Sequence, residues 1–242
     1  MLSAALVALS ALPPARAVLG AYATSLEGRT DGQRYNALRA ARALHGTVIQ
    51  PGQTFSFNGS VGPWGADRGY VKAPVSFEGE LRPAWGGGVC QTSTTLYNAA
   101  LVAGLEIVER HRHQWPPRYV ALGRDAAVAQ YDIDLRLRNP YPWPVRIEAD
   151  LGADWLGFAV IGRQAGPVAA VDTQVRSVLP AREVLQLDDR LPSGERHIVN
   201  HGRPGYRVLV YRWRLRGSEQ DSRELVSEDR YPPMHRLISA GL

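Results

Sequence analysis

The chain has 242 residues, a net charge of +5 at pH 7 and one cysteine, so it is long enough for one large domain or two small ones and holds no internal disulfide. It contains no apolar run of about 18 residues, and we therefore expect no transmembrane anchor. Lys72 is the only lysine, and the arginines are spread along the chain without a recognisable reading motif. We therefore expect no nucleic-acid partner.

The first 17 residues have the pattern of a secretory signal peptide. An apolar stretch of small residues is followed by Pro13-Pro14-Ala15-Arg16-Ala17, whose A-x-A ending predicts cleavage after Ala17. The segment lacks the basic residues that usually begin a signal peptide. An amphipathic first helix, or a gene model that is too short, therefore remains an alternative. We favour export and expect a secreted or cell-envelope protein, in which a lone thiol is either shielded or used.

Two segments have helical periodicity. Residues 32–45 carry apolar residues at helical spacing, with Asp31 as the candidate N-cap and Gly46 placed to end the helix. Residues 91–103 form the stronger pattern, a face of small apolar residues followed by Gly104. The sequence therefore predicts one helix near the start of the chain and a second one that begins beside the cysteine.

The rest of the chain indicates short strands. Residues 131–137 alternate between apolar and charged residues, which predicts a half-buried strand. Residues 162–166 indicate a linker, and the segment after them reads as a small all-β module. Together these patterns predict an α+β fold, in which the helix carrying the cysteine packs on an antiparallel sheet and the all-β module follows. The other predicted strands are residues 55–57, 105–108, 145–149, 156–161, 177–187, 194–200, 207–215 and 224–229.

The stretch Gly86-Gly87-Gly88-Val89-Cys90-Gln91-Thr92 places the cysteine after a glycine run and at the start of a predicted helix. The N–H groups and dipole of a helix N-terminus stabilise anions and lower a cysteine pKa. His111, His113 and Asp125 follow, and cysteine, histidine and an acid are the parts of a thiol nucleophile with its base and orienting group. If residues 105–115 form one strand, both histidines lie on the same face, so either is a candidate base.

Other interpretations of the same residues remain open. A single free cysteine is often a small buried hydrophobe, and the glycine run is then a tight structural turn. The cysteine, both histidines and Asp125 could together ligate zinc, but the chain has no paired cysteines, so we expect neither a metal nor another cofactor. For a catalytic thiol, the predicted oxyanion or ligand loop consists of Gly87, Gly88, Gln91 and Thr92.

Several motifs of the chain match known families. In the first part they are Gly52-Gln53-Thr54-Phe55-Ser56-Phe57-Asn58, Val61-Gly62-Pro63, Gly69-Tyr70, the stretch from Gly86 to Ala100, Ala103-Gly104-Leu105-Glu106-Ile107, Glu109-Arg110-His111, His113, Tyr119-Val120, Gly123-Arg124-Asp125-Ala126 and Val128. On these motifs, residues 18–163 resemble the VanW family. Residues 166–242 are similar to a G5 module, on Leu191-Pro192-Ser193-Gly194-Glu195, Gly205-Tyr206 and Tyr231-Pro232-Pro233. The resemblance implies a cell-envelope role linked to peptidoglycan, because G5 modules are proposed to bind N-acetylglucosamine sugars.

The order of residues around the cysteine is also similar to transglutaminase-like thiol proteins. A helix start at Gly-x-Cys, an Ala-Gly-Leu, a histidine segment and an aspartate follow one another. The resemblance implies that Cys90 is the nucleophile, His113 the base and Asp125 the orienting group. The interval between cysteine and histidine is short for that family.

Two functions follow from the sequence. The first is a thiol amidase, peptidase or transferase that acts on peptides of peptidoglycan. The alternative is a non-catalytic protein that binds cell-wall glycan, with Trp64, Tyr70, Trp85 and Trp115 as a sugar-stacking surface. We place the enzyme first. The residues within or beside the family motifs that we predict to bind ligand are Asn58, Tyr70, Trp85 and Tyr119.

Overall fold

The computed structural model describes residues 16–77, 80–164, 168–216 and 219–241, so the predicted signal peptide at residues 1–17 falls almost entirely outside this range. In this part of the chain no helix is long and apolar enough to cross a membrane. The elements of the first part are β1 (Ala17–Ser25), α1 (Asp31–Leu44), β2 (Val48–Ile49), β3 (Thr54–Ser56), α2 (Phe57–Val61), β4 (Lys72–Phe77), β5 (Glu80–Trp85), α3 (Val89–Val102), β6 (Glu106–Glu109), β7 (Arg136–Arg138), β8 (Val145–Leu151) and β9 (Trp155–Gly162). The elements of the second part are β10 (Val168–Leu179), β11 (Glu183–Leu187), β12 (Arg196–Asn200), β13 (Gly205–Arg216), β14 (Glu219–Tyr231) and β15 (Arg236–Ala240).

The predicted α+β class is wrong, because the chain is mostly β. The described residues contain fifteen strands, distributed over five small sheets, against three α-helices. The first part is built on a four-stranded antiparallel sheet in the order β1-β9-β8-β2, with smaller sheets β3-β7-β6 and β4-β5 beside it. Strands of two to four residues, such as β2, β3, β6 and β7, are too short to produce a clear sequence period.

The helix α1 begins one residue earlier than predicted and has a different cap. Thr30, not Asp31, is the N-cap residue. Its hydroxyl accepts a hydrogen bond from Gln33 N at 3.3 Å, and Gln33 Oε1 accepts one from Thr30 N at 3.2 Å, which forms a capping box. The buried face of α1 carries Ala37, Ala40, Ala41 and Leu44.

The helix α3 lies in the middle of the first part, between α1 and the strands β1 and β9. Every residue from Gln91 to Leu101 is buried, although several of them are polar. These polar side chains have partners inside the protein: the hydroxyls of Thr95 and Thr24 on β1 lie 2.8 Å apart. Such bonds remove the cost of burying the hydroxyl groups and fix α3 relative to its neighbours.

The predicted strand at residues 131–137 is also wrong for most of its length. Only Arg136 to Arg138 form a strand, β7. The chain before it folds back on itself, because Ala129 N donates to Ile133 O at 2.8 Å across a tight turn. Tyr131, which the alternating pattern places on the apolar face, lies at the tip of this turn and is 89% exposed.

The described elements of the second part are all strands. They form one antiparallel sheet in the order β10-β13-β14 and a second sheet β11-β15-β12, in which β11 runs parallel to β15. The two parts of the chain are in contact, since Arg212 on β13 donates from Nη1 to Leu105 O at 2.7 Å. Leu122, from the first part, packs against the small core formed by Val208, Val210 and Tyr231.

Candidate functional site

Cys90 is the second residue of the 14-residue helix α3, so its thiol lies at the helix N-terminus. The N-cap residue Gly88 has φ of +109°, and a Cβ built on it would lie 2.2 Å from the carbonyl oxygen of Gln33 on α1. The turn into the helix therefore requires glycine. The Cys90 side chain is partly exposed, and its Sγ donates to Val128 O at 3.4 Å.

Asp125 is held beside α3 by polar side chains of the helix. The Thr94 hydroxyl donates to Ala126 O at 3.2 Å and accepts from Ala126 N at 3.0 Å. Asn98 Nδ2 donates to Arg124 O at 2.7 Å, and Arg124 Nε donates back to Asn98 Oδ1 at 2.5 Å. The fully buried Asp125 thus lies between two neighbours that are both anchored on the cysteine's own helix.

His113 lies between Cys90 and Asp125 and forms hydrogen bonds with both. Its Nδ1 is 2.7 Å from Asp125 Oδ2, and its backbone N–H donates to the same oxygen at 2.6 Å. Its side chain also forms a hydrogen bond with the thiol of Cys90. Because Nδ1 faces the carboxylate, Nε2 is the ring nitrogen left for the sulfur. These three residues therefore form one hydrogen-bonded chain.

The contacts among Cys90, His113 and Asp125 shift the pKa of each of these side chains. Burial disfavours a thiolate, but the hydrogen bond and charge of His113 outweigh burial and lower the pKa of Cys90. Burial also disfavours an imidazolium, whereas the hydrogen bonds to Asp125 and Cys90 raise the pKa of His113 to about 9. The pKa of Asp125 is lowered, because the contacts of His113 outweigh the burial of the carboxylate. The contacts therefore stabilise the charged forms of all three side chains.

The second oxygen of Asp125 contacts two residues that the sequence did not predict for the site. Oδ1 accepts a hydrogen bond from the Tyr231 hydroxyl and lies 3.3 Å from Nη2 of Arg110. Arg110 forms a two-point ion pair with Asp229, in which Nη1 lies 2.6 Å from Oδ1 and 2.7 Å from Oδ2. Tyr231 is 106 residues away from Asp125, so no local pattern connects the two.

His111, the other candidate base, points elsewhere. Its Nε2 lies 2.9 Å from Oε1 of Glu109. Since β6 ends at Glu109, residues 105–115 do not form the single strand that would place both histidines on one face. Of the two histidines, His113 is the one that contacts Cys90. Across the described residues, no group of three or more histidine, cysteine or acidic side chains is arranged to hold a metal ion.

Gln91, from the predicted oxyanion loop, joins α3 to β1 through its side-chain amide. Nε2 donates to Thr24 Oγ1 at 3.0 Å and to Ser25 O at 2.7 Å, and Oε1 accepts from Arg29 Nε at 2.8 Å. Both N–H groups of the amide therefore have partners inside the fold, which leaves none for an oxyanion.

The remaining loop residues contact α1. The Gly87 carbonyl accepts from Asn36 Nδ2 at 3.0 Å, and the Thr92 hydroxyl donates to Ala37 O at 3.0 Å. These contacts, with the close approach of Gly88 to α1, explain the glycine run by packing.

A backbone donor remains beside the thiol. The N–H groups on either side, those of Val89 and Gln91, donate to Gly86 O and Gly88 O at 3.0 Å each. Within the described part of the chain, the Cys90 N–H has no such partner in the turn. It is therefore the group best placed to stabilise negative charge on an atom bound to the sulfur.

Of the four predicted binding residues, Tyr119 lies next to the thiol. Its hydroxyl forms a hydrogen bond with Thr94, and its ring lies 4.7 Å beneath the Arg29 guanidinium. Burial and the negative charge of Cys90 raise the pKa of Tyr119 well above its ordinary value. Tyr119 therefore stays a neutral hydroxyl at the edge of the site.

The other predicted binding residues have different environments. Asn58 donates its amide to two backbone carbonyls of the turn at residues 129–133. Tyr70 is 4% exposed and Trp64 is 7% exposed, so both belong to the core. Trp85 is 41% exposed, and the Lys72 ammonium lies 5.5 Å from its ring centroid. Of these aromatic residues, Trp85 is the one whose ring is open to a ligand.

Family models divide the chain into two matched regions. Residues 32–161 match the family described as VanW like protein, and residues 171–242 match the G5 domain. The first match covers more than half of the chain and contains the cysteine, the histidine and the aspartate of the candidate site. The second match contains Asp229 and Tyr231. We refer below to the VanW-like domain and the G5 domain.

Two named relatives are similar to the VanW-like part. The protein named uncharacterized protein YoaR, from Bacillus subtilis strain 168, is 41% identical over 131 residues, which is 54% of this chain and 43% of YoaR. The vancomycin B-type resistance protein VanW of Enterococcus faecalis is 34% identical over 110 residues, 43% of this chain and 40% of that protein. The chain thus matches less than half the length of these relatives.

Among solved structures, the IgA1 protease G5 domain is 23% identical and covers 34% of this chain and 98% of that domain, with a TM-score of 0.24. A TM-score this low adds nothing to the assignment, which comes from the family matches. The VanW-like match contains Cys90, His113 and Asp125 and covers more than half of the whole chain. The chain therefore belongs to the VanW-like protein family and carries a G5 domain.

Proposed function

We propose that this protein acts at the cell wall, where its G5 domain binds wall glycan and its VanW-like domain presents a thiol for reaction with wall peptides. Family membership and the G5 match support an association with the wall. The signal-like residues 1–17 support export to the envelope. The observation that carries the chemical part is the hydrogen-bonded chain from the Cys90 thiol through His113 to Asp125.

The proposed reaction is acyl transfer from an amide. The Cys90 thiolate attacks the carbonyl carbon, and the new oxyanion is stabilised by the Cys90 N–H. When the intermediate collapses, the C–N bond breaks and the leaving amine takes a proton from the His113 imidazolium. Water then hydrolyses the thioester, as in an amidase or peptidase, or a second amine attacks it, as in a transferase. In both cases His113 accepts the proton of the attacking group, and the C–S bond breaks to release the Cys90 thiolate.

The alternative is a wall-binding protein without catalytic activity, and the comparisons support it more directly. The G5 domain points to glycan binding, whereas neither YoaR nor VanW is named for a reaction. In this alternative the G5 domain binds polymers of N-acetylglucosamine, and the hydrogen bonds among Cys90, His113 and Asp125 only stabilise the N-terminus of α3. The two functions differ in what happens to the wall after binding.

The first experiment measures the rate of Cys90 alkylation by iodoacetamide between pH 5 and 10. The thiol is the only one in the chain, so the rate reports one group. We expect the midpoint to lie below the ordinary value of about 8.5. The variant His113→Ala should move it above that value, because burial and the charge of Asp125 then raise the pKa without the opposing histidine, whereas His111→Ala should leave it unchanged. An ordinary midpoint in the wild type that His113→Ala does not move would contradict the thiol chemistry.

The second experiment separates the enzyme from the binder. The wild type and Cys90→Ser are incubated with purified peptidoglycan sacculi and with chitin as an N-acetylglucosamine polymer. Sedimentation measures binding, and a reagent for primary amines measures cleavage or transfer of peptide amides. Equal binding by both proteins with a change in amines only for the wild type supports the enzyme. Binding by both with no change in amines supports the alternative, and no binding to either material would contradict the wall association.

A further inference from the structure

We infer that Tyr231 and Asp229 of the G5 domain are positioning residues of the Cys90 site, so that the two domains build this site together. The inference rests on the proposed function, because it gives these residues a role in orienting the pair formed by Asp125 and His113. It goes beyond glycan binding, since it makes the G5 domain part of the chemistry of its neighbour.

Tyr231 fixes the carboxylate from the side opposite the histidine. Its side chain is fully buried, and its hydroxyl donates to Asp125 Oδ1 and accepts from Gly123 N at 3.2 Å. The other oxygen, Oδ2, accepts from the ring and the backbone of His113. A carboxylate bound at both oxygens cannot rotate freely, so the Tyr231 hydroxyl helps to define the direction from which Oδ2 meets the imidazole.

Asp229 acts one step further away, through Arg110. The guanidinium of Arg110 is 6% exposed and donates to the carbonyl oxygens of Asp125 and Gly123 at 2.6 and 3.2 Å. The two-point ion pair with Asp229 neutralises and orients this buried charge. Asp229 therefore orients the Arg110 guanidinium. The guanidinium in turn contacts the backbone carbonyl and the carboxylate Oδ1 of Asp125.

The fold delivers both side chains to the interface together. Asp229 and Tyr231 are two residues apart on β14 and therefore lie on the same face of the strand. Pairing of β14 with β13, in which Val208 lies opposite Asp229, sets their position. Across the interface, a Cβ on Gly123 would lie 2.6 Å from Cγ2 of Val210, so the two backbones approach closely. The G5 sheet is thus packed against the segment that precedes Asp125.

The test uses the full chain and the alkylation assay, which needs no knowledge of the substrate. Tyr231→Phe removes the hydroxyl and keeps the buried ring, and Asp229→Asn removes the charge and keeps the shape. We expect both to raise the pH midpoint of Cys90 alkylation and to lower its rate at pH 6 by about threefold or more, the effect of losing a charge-assisted hydrogen bond. The matched control is Tyr211→Phe, since Tyr211 lies on the same sheet beneath Arg223 and does not contact Asp125.

Each outcome supports or overturns the inference. A raised midpoint in Tyr231→Phe and Asp229→Asn, with Tyr211→Phe equal to the wild type and with circular dichroism unchanged, supports it. If one of these two variants fails to fold, the alkylation midpoint of the other variant still tests the inference. A midpoint that stays at the wild-type value in the folded variants overturns it, although His113→Ala still shifts the midpoint and the proposed function stands. A wild-type midpoint insensitive to His113 means that the proposed function itself has failed.

Discussion

Arg110 and Asp229 face each other through two hydrogen bonds, with Nη1 2.6 Å from Oδ1 and 2.7 Å from Oδ2, although they lie in different domains. The guanidinium also lies 3.3 Å from Oδ1 of Asp125. One buried cation thus compensates two buried carboxylates. Removing it leaves Asp229 without its cation and Asp125 with His113 alone, and an uncompensated buried charge is among the costliest single changes in a protein interior.

We therefore expect Arg110→Met to reduce the free energy of unfolding by about 3–5 kcal/mol. Urea unfolding followed by circular dichroism measures the change. Arg138→Met is the matched control, because Arg138 pairs with Glu106 on the protein surface and an exposed pair contributes about 0–1 kcal/mol. Equal losses in the two variants would contradict the assignment of Arg110 as a buried compensating charge.

Asp125 should contribute to the loss of stability in acid. Its pKa is lowered in the folded protein, so its contribution is complete above the ordinary value of about 3.9 and is lost as the pH falls through the lowered pKa. Asp125→Asn should therefore be less stable than the wild type at pH 6 and should lose less stability between pH 6 and pH 2. Urea unfolding across this range checks the prediction. Asp132→Asn, a change at an exposed aspartate, should keep the wild-type profile.

Gly88 should tolerate no side chain. Gly88→Ala adds a left-handed backbone penalty of about 1–2 kcal/mol. It also places a Cβ 2.2 Å from a backbone oxygen of α1, so the loss of unfolding free energy should reach about 3 kcal/mol or more. Gly46→Ala is the control, because φ there is +83° and no atom lies within 4 Å of the added Cβ. Thermal unfolding should rank Gly88→Ala well below Gly46→Ala, and a similar melting temperature would contradict the close approach of α3 to α1.

Gln91 should act on stability and not on the thiol. Gln91→Met keeps the length of the side chain but leaves the buried oxygens of Thr24 and Ser25 without their donor, which costs about 1–3 kcal/mol. We expect the pH midpoint of Cys90 alkylation to remain at the wild-type value, because Gln91 does not bond the thiol or its histidine. A shifted midpoint would show that the amide acts on the site directly.

The sequence revealed the helices better than the sheets. The segments at residues 32–45 and 91–103 have a sustained 3.6-residue period, and each lies within two residues of an observed helix. The fold class was wrong because strands of two to four residues carry too little pattern to be counted. At residues 131–137, alternation suggested a strand, but Asp134 accepts hydrogen bonds from the Ser56 hydroxyl at 2.6 Å and Asn58 N at 2.9 Å. Those tertiary bonds outweigh the local period.

The inner part of the candidate site could be proposed from the sequence, since Cys90, His113 and Asp125 all lie within the family motifs. The choice between the two histidines could not be made, because it depends on where β6 ends. The outer part was missed altogether. Tyr231 lies in a motif of the G5 resemblance and Asp229 ends a predicted strand, but only the docking of the two domains brings them to the Asp125 site.

The shared interface also limits how this protein could have been assembled during evolution. Wall-binding domains are often treated as interchangeable attachments, joined to a partner by gene fusion. Here a replacement domain would have to supply an aspartate and a tyrosine two positions apart on a strand. It would also need side chains small enough to pack against the backbone at Gly123. Recombination at the domain boundary would otherwise remove two of the groups that surround Asp125, so the two domains should be inherited as a pair.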